Sequence, residues 1–422
     1  MANDSSSSAA EFQPTSQAEL SRYLGENASH DRTPIVPVGG RTALNYGYPT
    51  PAESTYVSLT KLTGVVDYPS RDMNITVETG IRMNELANIL QEEGQQLPID
   101  VSQSNRATLG GVLATNTSGP RRFGHGTMRD YVIGIKAINA RGKVFHGGGR
   151  VVKNVAGYDL CKLLVGSLGT LAVVTQVTLK VKPVTDVMTF LCVSVSDWQA
   201  ADFVLNELQE SETRPTILEL FGQNATRMIA AESRIDLPNH QPLLLLGIDG
   251  GEREVNWQIE TLKSELENSR SSSRLEMEII TADSAVQLLT AITEFPASSD
   301  DPLTFRASVP PSRVVEFLQM AIEREIAVGA HAGNGIITGH FPDSVSNVSD
   351  AAAIIHPLRD FAEQQGGRLV VCNCDAEWKQ EIPVFGNDFK SASLMKTLKS
   401  TMDPEDLLNP GRLFRPEKVA TD

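Results

Sequence analysis

Thr108-Leu109-Gly110-Gly111-Val112-Leu113-Ala114-Thr115-Asn116-Thr117-Ser118-Gly119 carries a small or hydroxyl-bearing side chain at most of its positions. A flat or elongated ligand can lie along such a stretch, with hydroxyl and amide groups as its partners. Two more glycine clusters flank it in sequence. Pro37-Val38-Gly39-Gly40-Arg41-Thr42 directly follows a β-branched run that starts at Ile35. Successive small residues there let backbone N–H groups converge on an anion, because glycine tolerates positive φ and close approach. Gly166-Ser167-Leu168-Gly169-Thr170 leads into Leu171 to Val181, the longest strand candidate, which Pro183 closes. Any one cluster alone reads as a tight turn. Three, each beside a strand candidate, point to a ligand-binding surface.

Working outward, Ile35 to Val38, Thr55 to Leu59 and Ile75 to Glu78 are short apolar runs bounded by turn residues and predict strands. After Gly80, the spacing of Met83, Leu86, Ala87 and Leu90 predicts an amphipathic helix ending near Gly94. The texture changes after Pro183. Strands are predicted over Thr189 to Val195, Pro242 to Asp249, Thr304 to Val309 and Gly335 to Gly339. Helices are predicted over Trp198 to Leu208, Glu254 to Glu267, Arg313 to Ile326 and Leu394 to Phe414, with a polar stretch at Asn268 to Arg274. This alternation predicts an α+β domain with an antiparallel sheet covered by helices.

At 422 residues the chain has room for two or three domains. Hydrophobic residues at 41% and charged residues at 21% place it among ordinary globular proteins. A net charge of −15 argues against a nucleic-acid binder. No apolar run reaches the ~20 residues of a membrane span. The Ser-rich start from Met1 to Ala10 lacks the basic and apolar regions of a signal peptide. Four cysteines in so long a chain do not form a disulfide framework, so a reducing, cytoplasmic compartment is expected. Cys372 and Cys374 are too close for a zinc knuckle and read as packing residues on one face of a strand. Gly-x-Gly-x-x-Gly is absent. Gly119 to Gly124 has P-loop spacing but continues with His125 instead of Lys, so neither a Rossmann fingerprint nor a Walker loop is present.

The Pro37 to Thr42 loop, the Thr108 to Gly119 run, Gly126-Thr127-Met128-Arg129-Asp130-Tyr131-Val132-Ile133-Gly134 and Gly166 to Leu171 resemble the FAD-binding domain of the vanillyl-alcohol-oxidase/PCMH flavoprotein superfamily. Lys153-Asn154-Val155-Ala156-Gly157-Tyr158-Asp159-Leu160 narrows the resemblance to its 2-hydroxy-acid branch, and within that branch to the FAD-binding subunits of bacterial glycolate oxidases. The likeness is specific over Thr33 to Pro183, loose through the middle, and returns at Leu407-Leu408-Asn409-Pro410-Gly411-Arg412.

The resemblance implies a fold and an organisation. The fold is α+β, a PCMH-type FAD-binding domain over 15–183 with a second α+β cap domain over 184–393. Residues 394–422 return to the first domain, and 1–14 form a disordered tail. Val38, Gly39, Gly40, Arg41 and Thr42 match the loop that cradles the FAD pyrophosphate. Asp100 and Thr108, with Gly110 and Gly111, match the second wall of the groove. Ala114, Asn116, Ser118 and Gly119 match residues along the isoalloxazine and ribityl chain, and Gly169 and Val173 match the adenine side. Relatives that attach flavin covalently use a His in the pyrophosphate loop or a later Cys; Arg41 and Thr42 stand here, which implies non-covalent FAD. The Lys153 to Asp159 segment reads either as a turn packing this domain or as a source of a Lys153 or Tyr158 side chain near the flavin edge.

Oxidising a 2-hydroxy acid needs a cation for the carboxylate and a base for the hydroxyl proton, while flavin takes the hydride. Arg306 lies on a predicted strand of the second domain, whose sheet caps the flavin in the resembled family, and suits a bidentate carboxylate contact or an ordinary ion pair. His331-Ala332-Gly333-Asn334-Gly335-Ile336-Ile337-Thr338-Gly339-His340 resembles the His-x-Gly-Asp-Gly-Asn-x-His segment of related dehydrogenases, with Asn334 in place of the acid and the second His displaced. On one extended strand His331 and His340 stand roughly 30 Å apart at ~3.3 Å per residue, so no metal is assigned. His331 reads as a base, a flavin-proximal polar group or a structural residue. Arg121-Arg122 reads as a solvated pair. Without the cysteine clusters of an iron–sulfur centre, electrons from the flavin would pass to another protein or a diffusible acceptor; the resemblance to glycolate oxidase subunits implies a sister flavoprotein subunit and an iron–sulfur subunit. The alternatives are a self-sufficient glycolate or D-lactate dehydrogenase and an FAD-binding assembly subunit without chemistry of its own.

Overall fold

In a computed structural model of the chain, the structure describes residues 10–149, 159–268, 275–297, 301–386 and 391–415. Lys153 to Tyr158 and most of the polar stretch after Asn268 lie outside them. The chain divides into two compact units. One comprises Met1–Ser118, Thr127–Val184 and Asp388–Asp422; the other comprises Gly119–Gly126 and Thr185–Asn387.

The first unit holds strands β1 (Glu11–Phe12), β2 (Ile35–Val38), β3 (Thr55–Ser58), β4 (Val65–Asp67), β5 (Asn74–Glu78), β6 (Gln95–Gln96), β7 (Val132–Ile138), β8 (Val144–Gly148), β9 (Val173–Lys180) and β10 (Lys182–Pro183). β1, β3 and β2 form a parallel sheet in that order. β4-β5-β9-β7-β8 form an antiparallel one, and β10 pairs with β6. β9 sits centrally between β5 and β7. Its two faces are both covered, and six of its eight residues are buried in the pattern BBBiBBBe, which is why it reads as a continuous apolar run. The helix Met83–Glu92 buries Met83, Leu86 and Leu90 against this sheet core. Its first turn is fixed where Glu85 accepts from the Arg82 backbone N–H at 3.3 Å.

Two expectations change here. Residues 11–12 belong to no tail: they pair with Tyr56 and Val57, and Phe12 stacks on Tyr23 at 4.0 Å. Tyr23 is presented by the helix Gln17–Ser29, capped by Ser16 and anchored by buried Leu20 and Leu24. The C-terminal helix spans only Ala392–Met402. Pro404 excludes the helical conformation from Asp403, whose carboxylate instead accepts from the backbone N–H of Leu407 and Leu408. The strap that follows pairs with β2: the Ile35 N–H donates to the Leu407 carbonyl, and the Ile35 carbonyl accepts from the Asn409 N–H.

The second unit is one antiparallel sheet of eight strands. These are β11 (Val187–Ser194), β12 (Ile217–Phe221), β13 (Leu243–Gly250), β14 (Glu276–Thr281), β15 (Leu303–Ser308), β16 (Ala327–His331), β17 (Ile336–His340) and β18 (Arg368–Cys374), in the order β14-β11-β13-β12-β16-β17-β15-β18. On one face Phe190, Ile217, Phe221 and Leu245 pack against the helices Gln223–Ser233 and Ala282–Glu294. The opposite alternation, Leu191, Leu244, Leu246 and Ile248, is buried too, and the helices Glu252–Glu267, Val314–Ile322 and Val348–Gln364 contact β13, β16 and β18.

His331 and His340 do not lie on one extended strand. The chain turns through Ala332–Asn334 and Gly335, at φ +68°, so that β16 and β17 form a hairpin with His331 opposite Ile336. A Cβ on Gly335 would stand 1.9 Å from the Val309 carbonyl oxygen, so only glycine closes this turn. The cysteine reading also changes. Thr304 pairs with Asn373 and Phe305 with Val371, which leaves Cys372 as the extra residue of a β-bulge. The bulge shifts the phase: Leu369, Val371 and Cys374 are buried, and Cys372 is half-buried among the residues between them.

Candidate functional site

The glycine clusters converge in the first unit. Two adjoining hollows share walls at Val38, Gly39, Thr108, Gly111, Ala114 and Leu168. Gly40, Arg41 and Thr42 complete the first, and Gly110, Gly169 and Val173 the second. β2 delivers the chain to Gly39 and Gly40, which lie directly against the segment before Thr108. A Cβ on Gly39 would meet Thr108 Oγ1 at 1.9 Å, and one on Gly40 would meet the Arg106 carbonyl oxygen at 1.7 Å. The two stretches read separately in sequence are therefore two walls in backbone contact.

The second stretch folds into the short helix Leu109–Thr115. Thr108 caps it by accepting from Gly111 N–H at 3.4 Å, and Gly110 packs against Thr79. Asn116 ends it in the left-handed region at φ 51°. The side-chain oxygens of Asn116 and of Asn409 are buried without a hydrogen-bond partner among the described residues. Both asparagines border the Gly166 to Gly169 turn, and Asn409 donates to the Leu168 carbonyl at 2.9 Å. A main-chain cradle closed to side chains, adjoining hollows and nearby unsatisfied acceptors suit a long ligand with a diphosphate and N–H or O–H donors, which is what FAD offers. Asp100, Asn116, Ser118 and Gly119 do not line these hollows, and Gly119 belongs to the second unit.

In the second unit, residues directly opposite in an antiparallel pair share a face. Arg306 faces Thr338, Thr338 faces Gly329, and His331 lies two residues on from Gly329, so Arg306 and His331 project from the same face, two strands (~10 Å) across and two residues (~7 Å) along. His331 also faces Glu219 on β12, and its Nδ1 lies 2.5 Å from Glu219 Oε1. The Glu219 carboxylate is 2% exposed. Asp249 shares this face by register and is held by the segment Gly119–Gly126: His125 Nε2 contacts both its oxygens at 3.0 and 3.1 Å, and Arg121 approaches at 3.7 Å. Burial pushes the Asp249 carboxyl up, but the hydrogen bond and charge of His125, with Thr216 and Arg121, leave it below the usual carboxylate value. Arg121 is thus no solvated side chain. Its exposure is 14%.

His340 is buried and pairs through Nδ1 with Asp301 at 2.8 Å. Each histidine of the hairpin therefore has its own carboxylate, and among the described residues no three metal-binding side chains gather. Burial pushes the Cys161 and Cys374 thiols up to about 11 and Cys192 to about 12, far from thiolate reactivity.

Glu219, His125, Asp249 and Arg412 were not singled out from the sequence. For the carboxylates a signal existed. Glu219 sits alone in Ile217-Leu218-Glu219-Leu220-Phe221, and Asp249 ends the run that begins at Leu243; a lone acid in an apolar strand needs a buried partner.

A unit with a main-chain cradle for a dinucleotide, followed by an α+β unit whose sheet carries buried carboxylate–histidine pairs, defines a flavin-binding oxidoreductase. The family described as the FAD binding domain matches residues 8–148, and that described as the C-terminal domain of FAD linked oxidases matches 185–367 and 386–413. The chain belongs to the FAD-linked oxidases, with FAD as its cofactor. It is 26% identical over 417 residues to the glycolate oxidase subunit GlcD of Bacillus subtilis (strain 168), covering 95% of this chain and 88% of that one. It is 37% identical over 169 residues to the glycolate oxidase subunit GlcE of Escherichia coli (strain K12), covering 40% and 47%. Among solved structures, an alkyldihydroxyacetonephosphate synthase superposes with a TM-score of 0.67 at 17% identity, covering 95% of this chain and 75% of the other, which shows the shared fold. Among the described residues no helix is long and apolar enough to cross a membrane.

Proposed function

We propose that this chain oxidises a small 2-hydroxy acid, glycolate to glyoxylate, as the FAD-binding subunit of a glycolate oxidase-type complex in the cytoplasm. The observation that carries the reading is the placement of Arg306 and the His331–Glu219 dyad on one sheet face, in a chain of the FAD-linked oxidases. The similarity to GlcD along nearly the whole chain supports it.

Val38, Gly39, Gly40, Arg41 and Thr42 hold the cofactor from one side, and Thr108, Gly110, Gly111 and Ala114 from the other, with Gly169 and Val173 at the far end. Neither stretch offers a His or Cys for covalent attachment, so FAD dissociates. Bound FAD supplies the acceptor for the hydride that leaves the substrate α-carbon. Arg306 orients the substrate through a charge-assisted contact with its carboxylate. His331 takes the hydroxyl proton at Nε2, because Nδ1 is committed to Glu219, and the buried carboxylate steadies the imidazolium that results. A sister flavoprotein subunit and an iron–sulfur subunit receive the electrons.

Anaerobic mixing of the purified holoprotein with glycolate or D-lactate, followed by flavin absorbance, tests this reading. Bleaching with glycolate supports it. Bleaching with D-lactate alone moves the assignment to a self-sufficient lactate dehydrogenase, and bleaching with neither leaves an assembly subunit without chemistry of its own.

A further inference from the structure

The cation nearest the expected pyrophosphate loop is already engaged. Arg41 pairs with Glu11 at 3.2 Å, stacks 4.9 Å over the Tyr56 ring and is 39% exposed. Lys399, a second basic group close by, is neutralised by Asp403 and Asp406 and donates to the Thr170 and Leu408 carbonyls. Arg412 differs from both. It lines the same hollow as Gly39 to Thr42, is 7% exposed, and has no carboxylate within ion-pair distance among the described residues. Nη1 donates to the Leu44 carbonyl at 2.9 Å and reaches that of Tyr46 at 3.5 Å, and among the described residues no other acceptor meets the guanidinium fork.

The side chain is also fixed in place before any ligand arrives. Gly47, at φ +94°, lets the backbone press on the Arg412 stem: a Cβ there would stand 2.6 Å from Cδ. The Arg412 carbonyl accepts from Tyr48 N–H at 3.0 Å. A buried guanidinium without a counter-charge is costly unless an anion completes it, and its planar fork matches phosphate oxygens. Burial pulls its pKa below the ordinary arginine value, against the influence of Tyr56.

We propose that Arg412 binds the FAD diphosphate, so that the C-terminal strap, and not Arg41, supplies the charge of the cofactor groove. The inference rests on the groove being the FAD site and is independent of which acid is oxidised.

Titration of apoprotein with FAD and with riboflavin, which lacks the diphosphate, reads the contact directly through flavin fluorescence. Arg412→Gln is expected to weaken FAD about 10- to 100-fold, the worth of one or two charge-assisted hydrogen bonds, and to leave riboflavin within about twofold. Arg412→Lys recovers part of the loss, and Arg41→Gln, whose charge is half exposed and already paired with Glu11, weakens FAD less than Arg412→Gln does. Equal losses for FAD and riboflavin, or no loss for either, overturn the proposal. Should Arg412→Gln fail to fold, phenylglyoxal modification of the wild-type apoprotein decides: FAD and ADP, but not riboflavin, are expected to shield Arg412 in peptide mass analysis, and absence of shielding overturns it. Gly40→Val separates the underlying assumption. If that variant keeps its FAD, the groove itself is misassigned, a result distinct from an unmoved Arg412→Gln.

Discussion

The two units build polar surfaces from different materials. In the first, the groove is main chain: Gly39 and Gly40 meet Thr108 and Arg106 at distances no side chain tolerates, and Arg41 and Asn116 adopt positive φ. In the second, the sheet face is side chain: His331 with Glu219, 112 residues apart in sequence, and His125 with Asp249, 124 apart. A backbone surface binds by shape and N–H direction and fails when anything is added to it. A side-chain surface acts through charge and protons and fails when something is removed.

Adding bulk to the first unit gives the largest effect. Gly40→Val drives two methyl groups into a backbone carbonyl, which cannot swing aside as a side chain would. The purified variant is expected to carry less than about a tenth of the wild-type flavin by absorbance ratio. Wild-type flavin content in that variant would break the contrast at its first term.

Removing a group from the second unit comes next. His331→Ala deletes the proposed base while leaving the groove untouched, so flavin content stays at the wild-type level and the rate of flavin reduction by glycolate falls about 10²-fold or more. Loss of flavin from this variant would show that the division of labour between the units is wrong.

The same contrast explains what was legible in the sequence. A run of glycines beside a strand shows from one stretch of chain, although what crowds Gly39, Gly40 and Gly110 is Thr108, Arg106 and Thr79, each distant in sequence. β9 and the helix Met83–Glu92 were visible for a similar reason, their apolar pattern being local. The dyads were not, because nothing near Glu219 announces His331. The turn at Gly335 hid behind alternation that continues on both sides of it, and the bulge at Cys372 depends on the neighbouring strand β15. Arg412 was quoted only as part of a motif. Its burial comes from Leu44, Tyr46 and Gly47, far away in the chain.

A smaller effect sharpens the account of the second unit. The folded Asp249 carboxyl titrates below its ordinary value, net of a burial that raises it and a His125 and Arg121 environment that lowers it. A depressed folded value means stability that is present above the unfolded pKa of about 3.9 and lost as pH falls through the folded one. Asp249→Asn is therefore expected to lower the unfolding temperature of this unit by about 2–8 °C near neutral pH. The gap to wild type narrows once pH drops below about 4. A gap that stays constant across that range would mean that His125 and Arg121 contribute nothing through the Asp249 charge.

The smallest effect belongs to the first unit and tests whether burial, and not ion pairing as such, sets the ranking. Arg141 grips Glu405 with two nitrogens, Nε at 3.2 Å from Oε1 and Nη2 nearer still, a better-formed ion pair than any that Arg412 makes. The pairing lowers the Glu405 pKa and raises that of Arg141. Yet Arg141 is 60% exposed, so water and salt screen the pair and either partner alone remains solvated. Arg141→Gln is expected to leave unfolding temperature and flavin content indistinguishable from wild type at physiological salt. Arg412→Gln, which breaks no ion pair among the described residues, is expected to cost FAD affinity. If calorimetry instead shows Arg141→Gln to be more damaging than Asp249→Asn, geometry outweighs desolvation in this molecule, and the case for a buried arginine awaiting a diphosphate loses its physical basis.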